Sequence, residues 1–166
     1  MFSVRVLDPS NAETFYESLV DQLVVLLGDE TDQVANLANT AALIWHTLPD
    51  VNWAGFYLLR DGELVLGPFQ GKPACVRIEV GRGVCGTAVA NEASVLVADV
   101  HAFPGHIACD DDSRSELVVP LRANGHVIGV LDLDSPVPGR FDAADQLGCE
   151  RLVQVLERTW SSPTSL

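Results

Sequence analysis

The chain has 166 residues, 48% of them hydrophobic and 20% charged, which is enough for one soluble domain with a sizeable core. Ten basic residues against 23 acidic ones give a formal net charge of −13, which excludes nucleic acids and anionic membrane surfaces as partners. No apolar run approaches the roughly 20 residues of a membrane span, and the start lacks a signal-peptide core, so we expect a cytoplasmic protein.

Two amphipathic helices are predicted at the N-terminal end. Ser10 and Glu13 have the spacing of a capping box, and leucines recur at helical intervals from there until Gly28. A second helix is expected from about Asp32 to Leu48, with Pro49 just beyond its end. The residues of this helix predicted to face inward are Val34, Leu37, Ala38, Ala41 and Trp45.

The middle of the chain predicts two hairpins. NWAGFYLL and ELVLGPFQ flank Arg60-Asp61-Gly62, LVVPLR and HVIGVLDLD flank Ala123-Asn124-Gly125, and such Gly-containing pairs favour tight turns. CVRIEV is a short alternating strand between them, and a last helix starts near Asp142. Because helices at both ends surround mainly antiparallel strands, we predict an α+β fold with one central sheet.

The stretch GRGVCG, residues 81–86, has the G-x-G-x-x-G spacing of a dinucleotide-binding loop. That site requires a βαβ crossover of a dozen or more residues between strands that are apolar on both faces. Here the preceding strand alternates with Arg77 and Glu79, and the helix from Val84 has hardly two turns. We therefore predict a glycine turn into a short helix, with Cys85 at the helix N-terminus, where the dipole favours a thiolate.

Four cysteines are too few to staple a domain of this size, so free, catalytic or metal-bound thiols are expected. Cys149 falls in the apolar stripe of the last helix and is predicted to be a small buried side chain. Cys75, Cys85 and Cys109 lie beside turns or polar segments instead. A redox role needs an attacking thiolate and a second cysteine to capture the sulfenic acid, and these three supply both.

Two aspartates end the strand HVIGVLDLD. Asp132 and Asp134 are two residues apart and share one face, following Ile128 and Val130 into a predicted pocket. Two close acids raise one another's pKa, which keeps a proton available near neutral pH. The alternative is a polar strand end that faces water.

The order of elements resembles the GAF domain, a small-molecule-binding fold. Six blocks together resemble one branch of it, the free methionine-(R)-sulfoxide reductases, and they cover residues 52–136. The blocks are NWAGFYLL, LGPFQGKPAC, GxGVCGTA, DVHAFPGHIACD, SELVVPL and VLDLDSP. We therefore expect one GAF-like domain over residues 1–166, with its core at about residues 30–160.

The resemblance implies a thiol mechanism. Cys109 in HIACD matches the attacking cysteine, Cys75 in GKPAC the resolving cysteine, and Cys85 in GVCGT a third cysteine that is an alternative resolver. Attack on the sulfur of methionine sulfoxide would release methionine and leave a sulfenic acid, which a disulfide then resolves. A thioredoxin-type dithiol would regenerate the enzyme, so no bound cofactor and no metal are expected.

The resemblance also implies substrate contacts. Glu116 matches the family's S-E-[IL]-V-V-P block, although a strict two-residue turn at Asn124-Gly125 pairs it with Leu133, on the face opposite the aspartates. A bulge or a loop would have to turn it inward. The carboxylates are candidates for donating a proton to the sulfoxide oxygen and for binding the ammonium group of the free amino acid.

Aromatic and histidine side chains complete the prediction. Trp53 and Tyr57 are four apart and could wall the substrate's methyl group, although core packing explains Tyr57 equally well. His101, His106 and Cys109 suggest a metal site, but H-x4-H-x2-C matches no strong zinc spacing. We expect this loop to fold over the pocket instead.

Two other classes of function remain open. One is a GAF module that senses a small molecule. Against it, we expect 166 residues to leave no room for an output domain, and a passive binding pocket has no need of three thiols. The other is a thiol redox sensor that turns nothing over. Turnover of free methionine-(R)-sulfoxide with a dithiol separates both from the enzyme, which we expect to act alone or as a homodimer.

Overall fold

The structure is a computed structural model and describes residues 2–107 and 110–160. Its helices are α1 (Ala12–Leu27), α2 (Gln33–Thr47), α3 (Gly83–Asn91), a short 3-10 helix (Val100–Ala102) and α4 (Ala143–Trp160). Its strands are β1 (Trp53–Arg60), β2 (Glu63–Gly71), β3 (Arg77–Glu79), β4 (Val95–Val97), β5 (Ser115–Ala123) and β6 (His126–Ser135).

The strands form one sheet in the order β3-β2-β1-β6-β5-β4, and each neighbouring pair is antiparallel. Both predicted hairpins are confirmed. Asp61 and Gly62 have φ of 53° and 85°, and Asn124 and Gly125 have φ of 50° and 81°. Two successive residues with positive φ make the turn that matches the twist of paired strands.

Each face of the sheet has its own hydrophobic cluster. The helix layer, formed by α1, α2 and α4, packs on one face against Phe56, Leu131 and Leu133. The other face carries Trp53 and Tyr57 and is covered by α3 and the loops around it. This α+β arrangement is the one that the sequence predicts.

Two details of the predicted helices were wrong. The N-cap of α1 is Asn11, whose side chain accepts a hydrogen bond from the Thr14 N–H, and not Ser10. In α2, Val34 is 61% exposed and Ala38 is also exposed, whereas Thr40 is buried. Thr40 is accommodated because its hydroxyl donates to a backbone carbonyl of its own helix, so the buried face includes polar residues.

Cys149 is fully buried on α4, as predicted, and burial raises the pKa of its thiol to about 12. None of the described helices combines the length and the apolar character that a membrane span requires.

Candidate active site

A bulge in the second hairpin sets which way the acidic side chains point. Arg122 pairs with Val127, as the two-residue turn requires, but the preceding residue, Leu121, pairs with Gly129. Ile128 is therefore an extra residue in β6 without a partner in β5. The prediction that Ile128 shares the face of the aspartates was wrong, because its side chain packs against the helix layer.

The same bulge shifts every strand pair beyond it by one residue. Glu116 lies opposite Asp134, and not opposite Leu133 as a regular hairpin predicts. Because side chains alternate along a strand, this shift brings Glu116 to the face of Asp132 and Asp134. The bulge that an inward Glu116 required is present.

A cavity opens between this face of the sheet and α3. The predicted site residues that line it are Trp53, Tyr57, Cys85, Glu116, Asp132 and Asp134. The sheet supplies five of these six side chains, whereas α3 and the loops supply most of the other residues of the cavity wall.

Burial and the charges of neighbouring acids raise the pKa values of the carboxyl groups in the cavity. Burial, and then the charges of Asp132 and Asp134, raise the pKa of Glu116 well above its ordinary value. Burial and the Asp132 charge raise the pKa of Asp134 in the same way. Burial also raises the pKa of Asp132, to about 6, and the neighbouring Cys85 and Glu116 side chains limit this increase. Burial and mutual charge thus make these acids harder to ionise than free carboxylic acids, which favours a proton being kept among them.

Cys85 lies in the first turn of α3, where a thiolate was expected, and that expectation was wrong. Its side chain is 3% exposed, and its sulfur lies 4.0 Å from a carboxyl oxygen of Glu116. Burial, and then the charges of Asp132 and Glu116, raise the pKa of the Cys85 thiol well above its ordinary value. Two acidic neighbours in a dry site outweigh the helix dipole.

The apolar wall of the cavity is a stack of aromatic rings. The centroid of the Trp53 ring lies 5.8 Å from that of Tyr57 and 5.2 Å from that of Phe69, with small interplanar angles. The Trp53 indole N–H donates to the backbone carbonyl of Lys72 at 3.1 Å. These contacts fix the Trp53 ring as a rigid surface for an apolar group.

Tyr57 connects this wall to a cysteine. Its hydroxyl donates to the backbone carbonyl of Cys75 at 3.0 Å. Cys75 is disulfide-bonded, whereas Cys85 and Cys149 are free. Cys109, the predicted nucleophile, lies outside the described residues. The residues described on either side of that gap, Ile107 and Asp110, both line the cavity.

Lys72 joins two loops at the mouth of the cavity. Its ammonium group forms ion pairs with Asp110, at 3.0 Å, and with Asp112. The Asp110 carboxylate also accepts hydrogen bonds from the Asp112 N–H and from the Asn52 side chain. Sequence reasoning assigned no role to Asn52 or Lys72, and only their positions in the NWAGFYLL and LGPFQGKPAC blocks draw attention to them.

The two histidines of this loop separate. His101 is exposed and contacts Asp99, with 3.2 Å between Nδ1 and the carboxylate oxygen. His106 is largely buried in the cavity wall, with its Nε2 atom 3.8 Å from Glu116 Oε2. Burial lowers the pKa of His106, so a neutral ring faces the acid.

Comparison with known proteins shows similarity to one family over most of the chain. The GAF domain family model matches residues 19–159. The free methionine-R-sulfoxide reductase of Escherichia coli is 56% identical over 148 residues, which are 89% of this chain and 90% of that protein. The protein of the same name from Saccharomyces cerevisiae is 41% identical over 157 residues, 90% of this chain and 87% of that one.

A solved structure shows the same likeness in three dimensions. The free methionine-R-sulfoxide reductase from Neisseria meningitidis, solved in complex with its substrate, superposes with a TM-score of 0.92. It is 46% identical to this chain, and the match covers 96% of both chains. The similarity therefore extends over both faces of the sheet.

Proposed function

The chain belongs to the GAF domain family and, within it, to the free methionine-R-sulfoxide reductases, and from this we propose that it reduces free methionine-(R)-sulfoxide to methionine. The observation that carries the proposal is the pairing of a rigid aromatic wall with buried acids in one cavity. A free amino acid with a methyl sulfoxide side chain needs both an apolar surface for its methyl group and a partner for its ammonium group. Both kinds of surface line the cavity, with Trp53 and Tyr57 on one side and Glu116, Asp132 and Asp134 on the other.

We propose that the acids at the end of β6 bind the ammonium group. Asp132 Oδ1 is buried and has no hydrogen-bond partner among the described residues, so it can accept a charged N–H donor. Asp134 lines the cavity beside it. Trp53 and Tyr57 then face the substrate's methyl group, which directs the sulfoxide toward the mouth of the cavity.

The chemistry requires two cysteines and one acid. We propose that the Cys109 thiolate attacks the sulfoxide sulfur while Glu116 gives its proton to the sulfoxide oxygen. The oxygen transfers to Cys109 as a sulfenic acid, and methionine is released. Cys75 next attacks the sulfenic sulfur, and the oxygen leaves as water after taking up a second proton. In sum, two thiols and one sulfoxide give one disulfide, one thioether and one water.

The assignment of Cys75 as the resolving residue has two supports. Among the described cysteines, Cys75 is the one that is disulfide-bonded, and the family motif places its partner at Cys109. Cys85 is the poorer candidate, because burial beside two acids keeps its thiol protonated and the thiolate is the nucleophile. A thioredoxin-type dithiol is the reductant that we propose for returning the disulfide to two thiols.

The test is methionine release per enzyme, measured by acid quench with and without a dithiol reductant. Cys109→Ser should abolish release, and Cys75→Ser should release about one methionine per chain but recycle poorly. Cys149→Ser is the matched control, because this thiol is buried in the helix layer, away from the cavity. Full activity of Cys109→Ser would refute the mechanism, and normal recycling of Cys75→Ser would move the resolving role to Cys85.

A further inference from the structure

Three side chains of the cavity converge in the way that metal ligands do. The Cys85 sulfur and one carboxyl oxygen each of Glu116 and Asp132 lie within 4.8 Å of one another. The three residues are 3%, 6% and 6% exposed. We propose that Cys85, Glu116 and Asp132 form a binding site for a zinc ion, and that zinc in this site excludes the substrate.

An unsatisfied oxygen indicates that a ligand belongs here. Asp132 Oδ1 is buried without a hydrogen-bond partner, and a buried polar atom in that state is unfavourable unless a cation or a donor reaches it. Among the described residues, neither lysine nor arginine forms an ion pair with Glu116 or Asp132. His106, at 3.8 Å from Glu116, is the one basic side chain paired with these acids in the described ranges.

The spacing suits a tetrahedral zinc ion after a small contraction. Zinc bonds of about 2.3 Å to sulfur and 2.1 Å to oxygen put those two ligand atoms about 3.6 Å apart. The Cys85 sulfur and Glu116 Oε1 are 4.0 Å apart, and all three ligand atoms lie within 4.8 Å of one another, so contractions from a few tenths of an ångström to about 1 Å bring them to these distances. The fourth position would face the cavity and hold water or a small anion.

The ligand set selects zinc over the hard divalent cations. Calcium and magnesium take six or more oxygen ligands, whereas a thiolate with two carboxylates favours a softer, four-coordinate ion. Binding displaces the proton of the Cys85 thiol, so it releases protons to the buffer. Zinc here is an inhibitor that fills the site, and the proposed reaction does not require it.

Exclusion of substrate follows from shared use of one atom, and this step rests on the proposed function. Asp132 Oδ1 can accept the ammonium group of methionine sulfoxide or bind zinc, but not both. Zinc would also hold Glu116 as an ionised ligand and so remove its transferable proton. Zinc binding itself depends on neither role.

The test uses the oxidised protein, in which Cys75 is disulfide-bonded and Cys85 and Cys149 are the free cysteines among the described residues. Cobalt(II) is the spectroscopic probe, and zinc is then titrated against a chromophoric chelator. We expect one site per chain with a thiolate-to-cobalt charge-transfer band. Cys85→Ser should remove the band and weaken zinc binding on the order of a hundredfold, whereas Cys149→Ser should change neither.

Each outcome decides one part. A thiolate–cobalt band that survives in Cys85→Ser, or the absence of saturable zinc binding to the native protein, would overturn the site. Asp132→Asn should weaken zinc binding while keeping the fold, and unchanged affinity would also overturn it. Methionine should bind the zinc-free protein and not the zinc-loaded one. Equal binding to both would refute exclusion, whereas no binding to either would count against the proposed function alone.

Discussion

The two faces of the sheet are built from the same strands but have different contents. On the helix side, Leu117, Leu131 and Leu133 are fully buried in an apolar layer that holds α1, α2 and α4 in place. On the cavity side, the residues that alternate with them include Glu116 and Asp132, which are buried as well. Successive side chains of β5 and β6 therefore point alternately into the apolar helix layer and toward the acidic cavity.

The two faces therefore contribute differently to stability and to function. Burial of apolar side chains stabilises the folded state, whereas burial of carboxyl groups opposes it and raises their pKa values. The helix side thus supplies the stability that keeps acids in a dry cavity. Substitutions at adjacent positions of one strand should affect stability on one face and turnover on the other.

The largest effect is expected on the helix side. Leu133 is fully buried on the helix side, although its neighbours in sequence, Asp132 and Asp134, line the cavity. Leu133→Ala should lower the free energy of unfolding by about 2–5 kcal/mol. Urea unfolding followed by circular dichroism gives the value. Turnover per folded molecule should stay close to that of the native protein. A loss below about 1 kcal/mol would show that the helix layer does not carry the stability assigned to it.

On the cavity side, Glu116→Gln should act on the reaction and spare the fold. The amide keeps the shape but cannot give a proton, so the single-turnover rate of methionine formation should fall on the order of a hundredfold. Unfolding in urea should show no loss of stability, because the substitution replaces a buried ionisable carboxyl group by a neutral amide of the same shape. A native single-turnover rate would remove Glu116 from the proposed mechanism.

Asp132→Asn tests the ammonium contact and should have a smaller effect. A charge-assisted hydrogen bond in a buried site contributes roughly 1.5–3 kcal/mol, so KM should rise about tenfold or more. N-acetylated methionine sulfoxide, which lacks the ammonium charge, is the matched control substrate. The native protein should use it poorly, and the variant should discriminate less between the two substrates. Equal use of both by the native protein would contradict an ammonium site.

The smallest expected effect is a pH-dependent gain in the stability of the same variant, Asp132→Asn. The pKa of Asp132 is raised in the folded state from 3.8 to about 6, so its contribution to stability is present below pH 4 and lost as the pH rises through 6. Asp132→Asn avoids this loss. The shift corresponds to at most about 3 kcal/mol, and the contacts with Cys85 and Glu116 that the amide weakens offset part of it. A net gain of roughly 1 kcal/mol should raise Tm above that of the native protein by about 2–4 °C at pH 7.5. At pH 4 the two Tm values should converge, and a constant difference would contradict the buried charge.

Local chemistry made the architecture predictable. Asp61-Gly62 and Asn124-Gly125 predict two-residue turns, because few other residue pairs adopt positive φ at two successive positions. Periodicity predicted the helices, but it counted Val34 as inward when it is 61% exposed, since periodicity alone does not show which side of a mixed helix meets the sheet.

The cavity was less predictable, because its geometry depends on contacts between distant segments. Ile128 carries no sign that it is the extra residue of a bulge, yet the direction of Glu116 depends on it. The protonation of Cys85 was predicted with the wrong sign, since the carboxyl groups beside it come from β5 and β6. Family resemblance supplied Glu116, which pairing rules alone placed on the wrong face.

The bulge at Ile128 has a consequence for how the chain avoids misfolding. If β5 and β6 paired from the Asn124-Gly125 turn without the bulge, their register would be shifted by one residue and Glu116 would face the helix layer. A carboxyl group pressed against α1, α2 and α4 without partners would be strongly unfavourable. The acid proposed to give a proton to the substrate thereby also penalises the mispaired sheet, so an activity-destroying change at Glu116 should at the same time relax the choice between two pairings during folding.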